Sequence, residues 1–325
     1  MKNDKLSHSK QKGVALLTIL IMVVLATILA MTILKSQQAS LDETKMMLRQ
    51  NQSLMYAQSA EYFFSELLIQ DAKDNQVDHL SENWAQPFPL FPVEDGFVSG
   101  QIYDQQAKFN LNSILKEDGS RNEAAIEFFQ SMLKRLNLDE NLVEAVIDWQ
   151  DADEETVGAM GAENSYYQGL KDGYLAANQP FSSVQQLQLV RGFKGKPYQL
   201  LKPYLTALPK RTTTININTA DPFLISCLHP QLDVLNVKNV LDLKRKNLEH
   251  FNALEELWET DVFSRIETSE REKFKSLFDA KSEFFTAEIS VQLSERQRHL
   301  TVWLNRQEQA VQSYQRSWIL ASQSF

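Results

Sequence analysis

The sequence holds one cysteine in 325 residues, and this scarcity excludes two kinds of structure. Cys227 alone cannot form an intrachain disulfide or an all-cysteine metal site, and its apolar surroundings (FLISCL) are typical of a small core residue. Common catalytic patterns are also lacking. There is no G-x-S-x-G, no H-E-x-x-H and no complete P-loop, because residues 192–197 lack both its spacing and its Ser/Thr. The chain is therefore predicted not to be an enzyme.

Helix-breaking residues are missing from a long N-terminal stretch. No glycine occurs between Gly13 and Gly96, and the first proline is Pro87, so nothing interrupts a helix through Asp71. Its first 21 residues, 14–34, carry no charge and would span a hydrocarbon core of about 30 Å. The later part is amphipathic, with an apolar stripe of period seven through Leu41, Leu48, Met55 and Tyr62. Five further apolar residues widen this stripe: Met47, Leu54, Phe64, Leu67 and Leu68. The stripe would suit a coiled-coil dimer. Packing against the chain's own domain is favoured, since few turns are covered and paired flanking charges are absent.

Four lysines precede Gly13, which lies at the border between the polar leader and the apolar run. Basic residues on this side predict that the N-terminus stays in the cytoplasm. A cleaved export signal has similar regions. However, the apolar run is too long for a usual signal, and no small-residue cleavage site is obvious after it. The sequence therefore favours a retained single-pass anchor in the inner membrane.

Charge and composition limit the possible partners. A hydrophobic content of 43% and an aromatic content of 10% predict a packed core. The formal net charge is -9, and it becomes -12 without residues 1–13, which hold four lysines and one aspartate. Such an acidic chain disfavours nucleic acid as a general partner.

The periodicity beyond the helix predicts an α+β fold. Residues 96–104 alternate as a strand, whereas residues 87–92 are read as a loop rich in proline and aromatics. Residues 120–280 give mainly helical signals, and a capping box of Ser120 and Glu123 is predicted to begin one helix. After Lys281 the period becomes two, which predicts three antiparallel strands. The expected architecture is a long N-terminal helix packed on an antiparallel sheet, with a large all-α inserted domain.

An acidic segment is the candidate metal site. Residues 139–163 hold nine acidic side chains and no basic one. Asp148, Asp151 and Asp153 follow one another as a helix ends, and Glu163 returns after a flexible loop. Ca²⁺ takes six to eight oxygen ligands, which such a cluster could supply, although the spacing is not that of an EF-hand. On chemistry alone, a solvated acidic face remains an equal alternative.

A basic segment follows, with six Lys/Arg and no acid between residues 182 and 211. Together with residues 218–228 it resembles a helix-hairpin-helix unit, which binds phosphates through the backbone of a glycine turn and nearby lysines. The second hairpin, around Pro230–Val234, has no glycine. A membrane-anchored DNA-uptake protein is thus an alternative function, but packing architecture alone is favoured.

Several phrases together resemble the type II secretion system protein K family, the largest minor pseudopilin. They are the leader KGVALLTILIMVVLATILA, then FNLN, IDWQDAD, GAENSYY, FSSVQQLQLVRGF, YLTALP and ININTADPFLISCL. The leader alone is similar to the signals of type IV pilins and pseudopilins. The family lacks the glutamate that most pseudopilins carry at the fifth mature position, and Thr18 stands there in this chain.

The resemblance implies a function and a set of residues. A prepilin peptidase would cleave after Gly13 and methylate the new N-terminus, Val14. The mature subunit would join two other minor pseudopilins at the tip of a filament of major pseudopilin and support export across the outer membrane. The relatives' inserted domain binds calcium, which favours a structural Ca²⁺ at Asp148, Asp151, Asp153 and Glu163. The implied regions are the leader 1–13, transmembrane part 14–34, amphipathic helix and first sheet part 35–110, helical insertion 111–281, and C-terminal strands 282–325.

Overall fold

The computed structural model describes residues 11–308 and 310–320, and only the backbone of residues 11–13, 319 and 320. The chain divides into two compact units, one ending at Tyr56 and one beginning at Ala57, and each is described by itself. Helix α1 (Gln11–Asp74) contributes to both. It extends three residues further at each end than the predicted helix over 14–71.

The first unit consists of the N-terminal part of α1. Among the described residues, α1 is the helix that is long and apolar enough to cross a membrane. The side chains from Val14 to Leu34 are exposed in the isolated chain, as expected of a surface that meets lipid. The hydroxyl of Thr18 donates to the carbonyl of Ala15 at 2.9 Å, so this polar side chain is satisfied within its own helix.

The second unit begins with the last turns of α1, which lie against the sheet. Their buried side chains are Ala57, Glu61, Phe64 and Leu68, whereas Tyr62 is exposed. Packing of this part of the helix against the chain's own domain is confirmed. Phe64 and Leu68 of the predicted stripe are buried, but Tyr62 of its period-seven row is not. The prediction also left out Glu61, a charged residue that belongs to the buried face. Its carboxylate accepts from the guanidinium of Arg316 at 2.6 Å.

A five-stranded antiparallel sheet packs on this helix. Its strands are β1 (Phe88–Val93), β2 (Gly96–Asp104), β7 (Phe284–Leu293), β8 (Arg296–Gln307) and β9 (Ala310–Leu320), in the order β1-β2-β7-β8-β9. The C-terminal meander is confirmed, and alternate residues of β7 from Phe285 to Leu293 face the core as predicted. Strand β1, read as a loop, was missed because it contains Pro89 and Pro92. An edge strand tolerates proline, since one side needs no ladder hydrogen bonds.

Helical segments and short strand pairs occupy the chain between β2 and β7. The helices are α2 (Glu123–Arg135), α3 (Leu142–Gln150), α4 (Asn164–Gln168), α5 (Lys196–Leu201), α6 (Pro222–Ser226), α7 (Val234–Lys246), α8 (Leu254–Trp258) and α9 (Thr268–Phe274). The short strands are β3 (Phe109–Asn110), β4 (Leu205–Thr206), β5 (Ile215–Asn216) and β6 (Phe278–Asp279).

The helices share a core centred on α2. Phe128 and Phe129 are fully buried and contact the rings of Phe109, Phe193 and Phe278. The predicted capping box is wrong in detail. Helix α2 begins after Asn122, and the hydroxyl of Ser120 instead donates to Asp118 in a local turn.

Candidate metal centre

The candidate metal centre lies where α3 ends and α4 begins. Asp148 is in the last turn of α3, and Asp151 is the residue that caps the C-terminal end of this helix. The chain then makes a loop through residues 152–162 and returns to Glu163, which directly precedes α4. Helix α3 is buried on nearly every side. Asp148, in its last turn, therefore has no exposed surface.

Three of the four predicted ligands come together. One carboxylate oxygen from each of Asp148, Asp151 and Glu163 lies within 4.8 Å of the others. Glu163 is 2% exposed, and neither of its carboxylate oxygens has a hydrogen-bond partner. Oδ1 of Asp151 is likewise buried without a partner. Buried carboxylates without partners are strongly unfavourable in a folded protein unless a cation or a proton neutralises them.

Burial and mutual repulsion raise the pKa values of the trio Asp148, Asp151 and Glu163. Burial, with repulsion from neighbouring aspartates, raises the pKa of Asp148 to about 6 and that of Asp151 to about 6. The same two causes raise the pKa of Glu163 to about 7. Arg121 lowers the pKa of both aspartates without offsetting their burial. A site of this kind attracts hard cations, because carboxylate oxygens are the ligands that Ca²⁺ prefers.

Asp153 is not part of the trio. Its side chain is exposed, and its Oδ1 accepts from the backbone N–H of Glu155 at 2.8 Å. The negative charge of Asp153 nevertheless raises the pKa of Asp151 and Glu163, so it acts on the site through space.

Residues outside the predicted set hold the loop in place. Asp148 accepts from the N–H of Val157 at 3.1 Å, and Glu144 accepts from the N–H of Met160 at 2.7 Å. From the opposite side, Nη1 of Arg191 donates to the carbonyl of Gly161 at 2.8 Å. Sequence reasoning missed Glu144 and Arg191 in this role.

The basic segment that resembles a DNA-binding hairpin directs its central arginine inward. Besides the bond to Gly161, the guanidinium of Arg191 lies 5.0 Å from the ring centre of Tyr166. Gly192 has a φ of +84°, and a Cβ there would lie 2.3 Å from a methyl carbon of Leu142. The glycine thus allows the hairpin turn to pack closely on α3. In this structure the turn has a packing role, as the sequence analysis favoured.

A second group of acidic residues is paired with an arginine. Carboxylate oxygens of Asp71, Asp78 and Glu82 also lie within 4.8 Å of one another. Here, however, the guanidinium of Arg306 donates to Asp71 at 2.9 Å and to Asp78 at 2.5 Å. An arginine already occupies the position that a metal ion would take, so we interpret this group as a buried ion-pair network.

The predicted processing site lies at the start of the described chain. Gly13 and Val14 are both within α1, and residues 1–10 of the predicted leader lie outside the described residues.

The fold is that of a pseudopilin: a long N-terminal helix, an antiparallel sheet and a large helical region. A solved chain in the crystal structure of the GspK-GspI-GspJ complex from the type 2 secretion system of enterotoxigenic Escherichia coli matches this fold. The TM-score is 0.75, with 22% sequence identity, over 86% of this chain and 100% of that one.

Sequence comparisons identify the family. Residues 107–210 match the family described as type II secretion system (T2SS), protein K. The protein K of Pectobacterium carotovorum is 30% identical over 96% of this chain and 97% of its own length. That of Aeromonas hydrophila is 37% identical over 66% of this chain and 69% of its own length. The chain belongs to the type II secretion system protein K family.

Proposed function

We propose that the chain is a minor pseudopilin that caps the pseudopilus tip and supports protein export across the outer membrane. The observation that carries this proposal is family membership over nearly the whole chain, together with the shared fold of a chain crystallised in a GspK-GspI-GspJ complex. The partners we propose are two other minor pseudopilins and, below them, the major pseudopilin. The role is assembly and not catalysis.

The N-terminal helix would serve as the inner-membrane anchor. A prepilin peptidase would cleave after Gly13 and methylate Val14, with the domain that follows in the periplasm. The proposed helical insertion, residues 111–281, enters the chain between β2 and β7. Its bulk would leave no room for another subunit above it, which suits a position at the tip.

Processing and assembly can be tested together in a strain that lacks this protein. Gly13→Val should leave the full-length precursor in the membrane and block secretion, because a valine side chain would obstruct the peptidase. Ala26→Val adds similar bulk within the apolar run and should be processed normally. Intact mass and recovery of the minor pseudopilins from membranes are the measurements. A normal mature mass for Gly13→Val would refute the pilin-type processing.

We further propose that Asp148, Asp151 and Glu163 hold a structural Ca²⁺. The unpartnered buried oxygens of Glu163 and Asp151 support this proposal. If only the folded state binds, calcium must raise the melting temperature by mass action. Glu163→Gln should abolish that rise, whereas Asp153→Asn should retain most of it because Asp153 lies outside the trio. An equal response of wild type and Glu163→Gln would mean that the cluster binds no cation.

DNA uptake is the competing function. It predicts a complex in a gel shift that weakens steeply with salt, because phosphate contacts release counterions. The inward guanidinium of Arg191 speaks against it.

A further inference from the structure

Arg191 makes an unusual set of contacts for a residue in a basic hairpin. Its Nη1 donates to the carbonyls of Gly161 at 2.8 Å and Ala159 at 3.4 Å. Its backbone N–H donates to the hydroxyl of Tyr167 at 3.3 Å, and its guanidinium lies against the ring of Tyr166. All four partners belong to the acidic loop or to α4, which follows it.

These contacts fix the backbone that carries the cation site. The two carbonyls lie two and four residues before Glu163. A Cβ on Gly161 would lie 2.4 Å from Oδ2 of Asp148, so the Gly161 backbone is already pressed against a carboxylate of the trio. Asp148 and Glu144 hold the loop from the side of α3, whereas Arg191 holds it from the hairpin. The loop is therefore anchored on both sides.

We infer that Arg191 is a positioning residue that sets the size of the cation site and thereby its preference for Ca²⁺ over Mg²⁺. This inference rests on the cation site proposed above. Ca²⁺ accepts flexible geometry at 2.3–2.6 Å, whereas Mg²⁺ demands an octahedron at about 2.0–2.1 Å. A loop pinned by Arg191 cannot contract around the smaller ion. The trio's oxygens lie at most 4.8 Å apart. This separation is compatible with Ca²⁺, whose opposite ligands are about 4.6–5.2 Å from each other.

The test measures both ions on the full-length protein in detergent, after removal of divalent metal by a chelator. Dissociation constants for Ca²⁺ and Mg²⁺ come from calorimetric titration of wild type and Arg191→Lys. Lysine keeps the charge but cannot donate to two carbonyls in the fixed geometry of a guanidinium. Outer-shell partners of metal ligands typically change affinity by 10–100-fold. We expect the Ca²⁺ affinity to fall at least about tenfold and the Mg²⁺ affinity to change much less, so that the ratio collapses.

Arg271→Lys is the matched control. Arg271 also donates to two loop carbonyls, those of Ile266 and Ser264, each at 2.7 Å, and its guanidinium lies near the ring of Trp258. This loop is separate from the acidic loop. The control should lower the melting temperature of the metal-free protein and leave both dissociation constants unchanged. Tyr166→Leu provides a milder variant, since it removes the ring beside Arg191 at a partly exposed position, and it should shift the ratio in the same direction.

The outcomes separate the two proposals. If wild type binds neither ion, the cation site fails and the role of Arg191 fails with it. If wild type binds Ca²⁺ but Arg191→Lys and Tyr166→Leu keep its ratio of affinities, only the role of Arg191 is refuted. A loss of affinity for both ions by the same factor would also refute it, because general loosening does not discriminate by ion size.

Discussion

If Asp148, Asp151 and Glu163 hold Ca²⁺ as proposed, removing the ion should make the free energy of unfolding depend strongly on pH. The direction of this dependence follows from the pKa values of the three carboxyl groups. Burial and repulsion raise the pKa of Asp148, Asp151 and Glu163 in the folded state. Below about pH 3 these carboxyls are protonated in both states, and their burial carries no charge penalty. As pH rises toward 7, the unfolded chain releases its protons first, so the free energy of unfolding falls.

The magnitude can be worked out for Glu163, which is almost fully buried. Its pKa rises from 4.5 to about 7. At 1.36 kcal/mol per pKa unit, the metal-free protein should lose about 3 kcal/mol of stability between pH 4 and pH 8 from this carboxyl alone. The three groups repel one another, so their individual losses do not add simply.

Calcium bound as proposed would reverse this loss, because it would pair with the ionised carboxylates. At a free concentration one hundred times the dissociation constant, binding adds about 2.7 kcal/mol at neutral pH or above. For a domain of this size that corresponds to roughly 5–10 °C in melting temperature. At about pH 4.5 protons compete successfully with the ion, and the increase should vanish.

Both effects can be measured by thermal unfolding of the full-length protein at intervals from pH 4.5 to 8, once with calcium and once with a chelator. Asp71 and Asp104 also have raised pKa values, of about 7 and about 6, because they are buried. Their titration gives the same slope with and without calcium, so the difference between the two curves isolates the trio. Glu163→Gln should remove most of that difference. A calcium response of equal size at pH 4.5 and pH 8 would refute the reasoning.

Three other variants test separate parts of the structure. Arg121→Gln should tighten calcium binding in calorimetric titration, because Arg121 is a cation that acts on both aspartates of the trio. Unchanged or weaker binding would contradict this electrostatic account. Gly192→Ala should lower the free energy of unfolding by roughly 1–3 kcal/mol in urea, because alanine is strained at a positive φ and would clash with Leu142. Thr18→Val should leave secretion nearly intact, since its hydroxyl bonds only to its own helix. Loss of the minor-pseudopilin complex in that variant would mean that position 18 makes a specific contact.

The elements that the sequence predicted well are those whose signal is local and periodic. Strand β2 was predicted at the residues where it lies, and the alternation of β7 gave its buried face. On the buried face of α1, Phe64 and Leu68 were predicted but Glu61 was missed, because its partner, Arg316, lies 255 positions further along the chain. No local pattern contains such a pairing.

The residues of the candidate site also fall into those with a local sequence signal and those without one. Acidic spacing at the end of a helix identified Asp148 and Asp151, and the return of the loop identified Glu163. Spacing could not exclude Asp153, because its orientation depends on a turn that bonds it to Glu155. Nor could spacing identify Arg191. This residue lies 30 positions after Gly161 in the sequence and contacts the loop only in the folded chain.

A single arginine links three separate parts of the chain. The guanidinium of Arg306, on β8, donates to Asp71 at the end of α1, to Asp78 in the following segment, and to the carbonyl of Ser282 just before β7. The side chains of Arg306 and Asp78 are 9% and 2% exposed, so water cannot replace these bonds. One residue thus joins the anchor helix to the point where the chain returns to the sheet.

Arg306→Met should therefore lower the free energy of unfolding by roughly 3–5 kcal/mol, because it leaves buried carboxylates without a counter-charge. Arg316→Met is the comparison, because the side chain of Arg316 is 52% exposed and water can replace part of its pair with Glu61, so the loss should be smaller. Adding Asp78→Asn to Arg306→Met should recover part of the loss by removing one unpaired charge. Denaturant unfolding of the full-length protein measures the wild type and the three variants. Equal, small losses for both arginine variants would show that apolar packing, and not Arg306, holds these parts of the chain together.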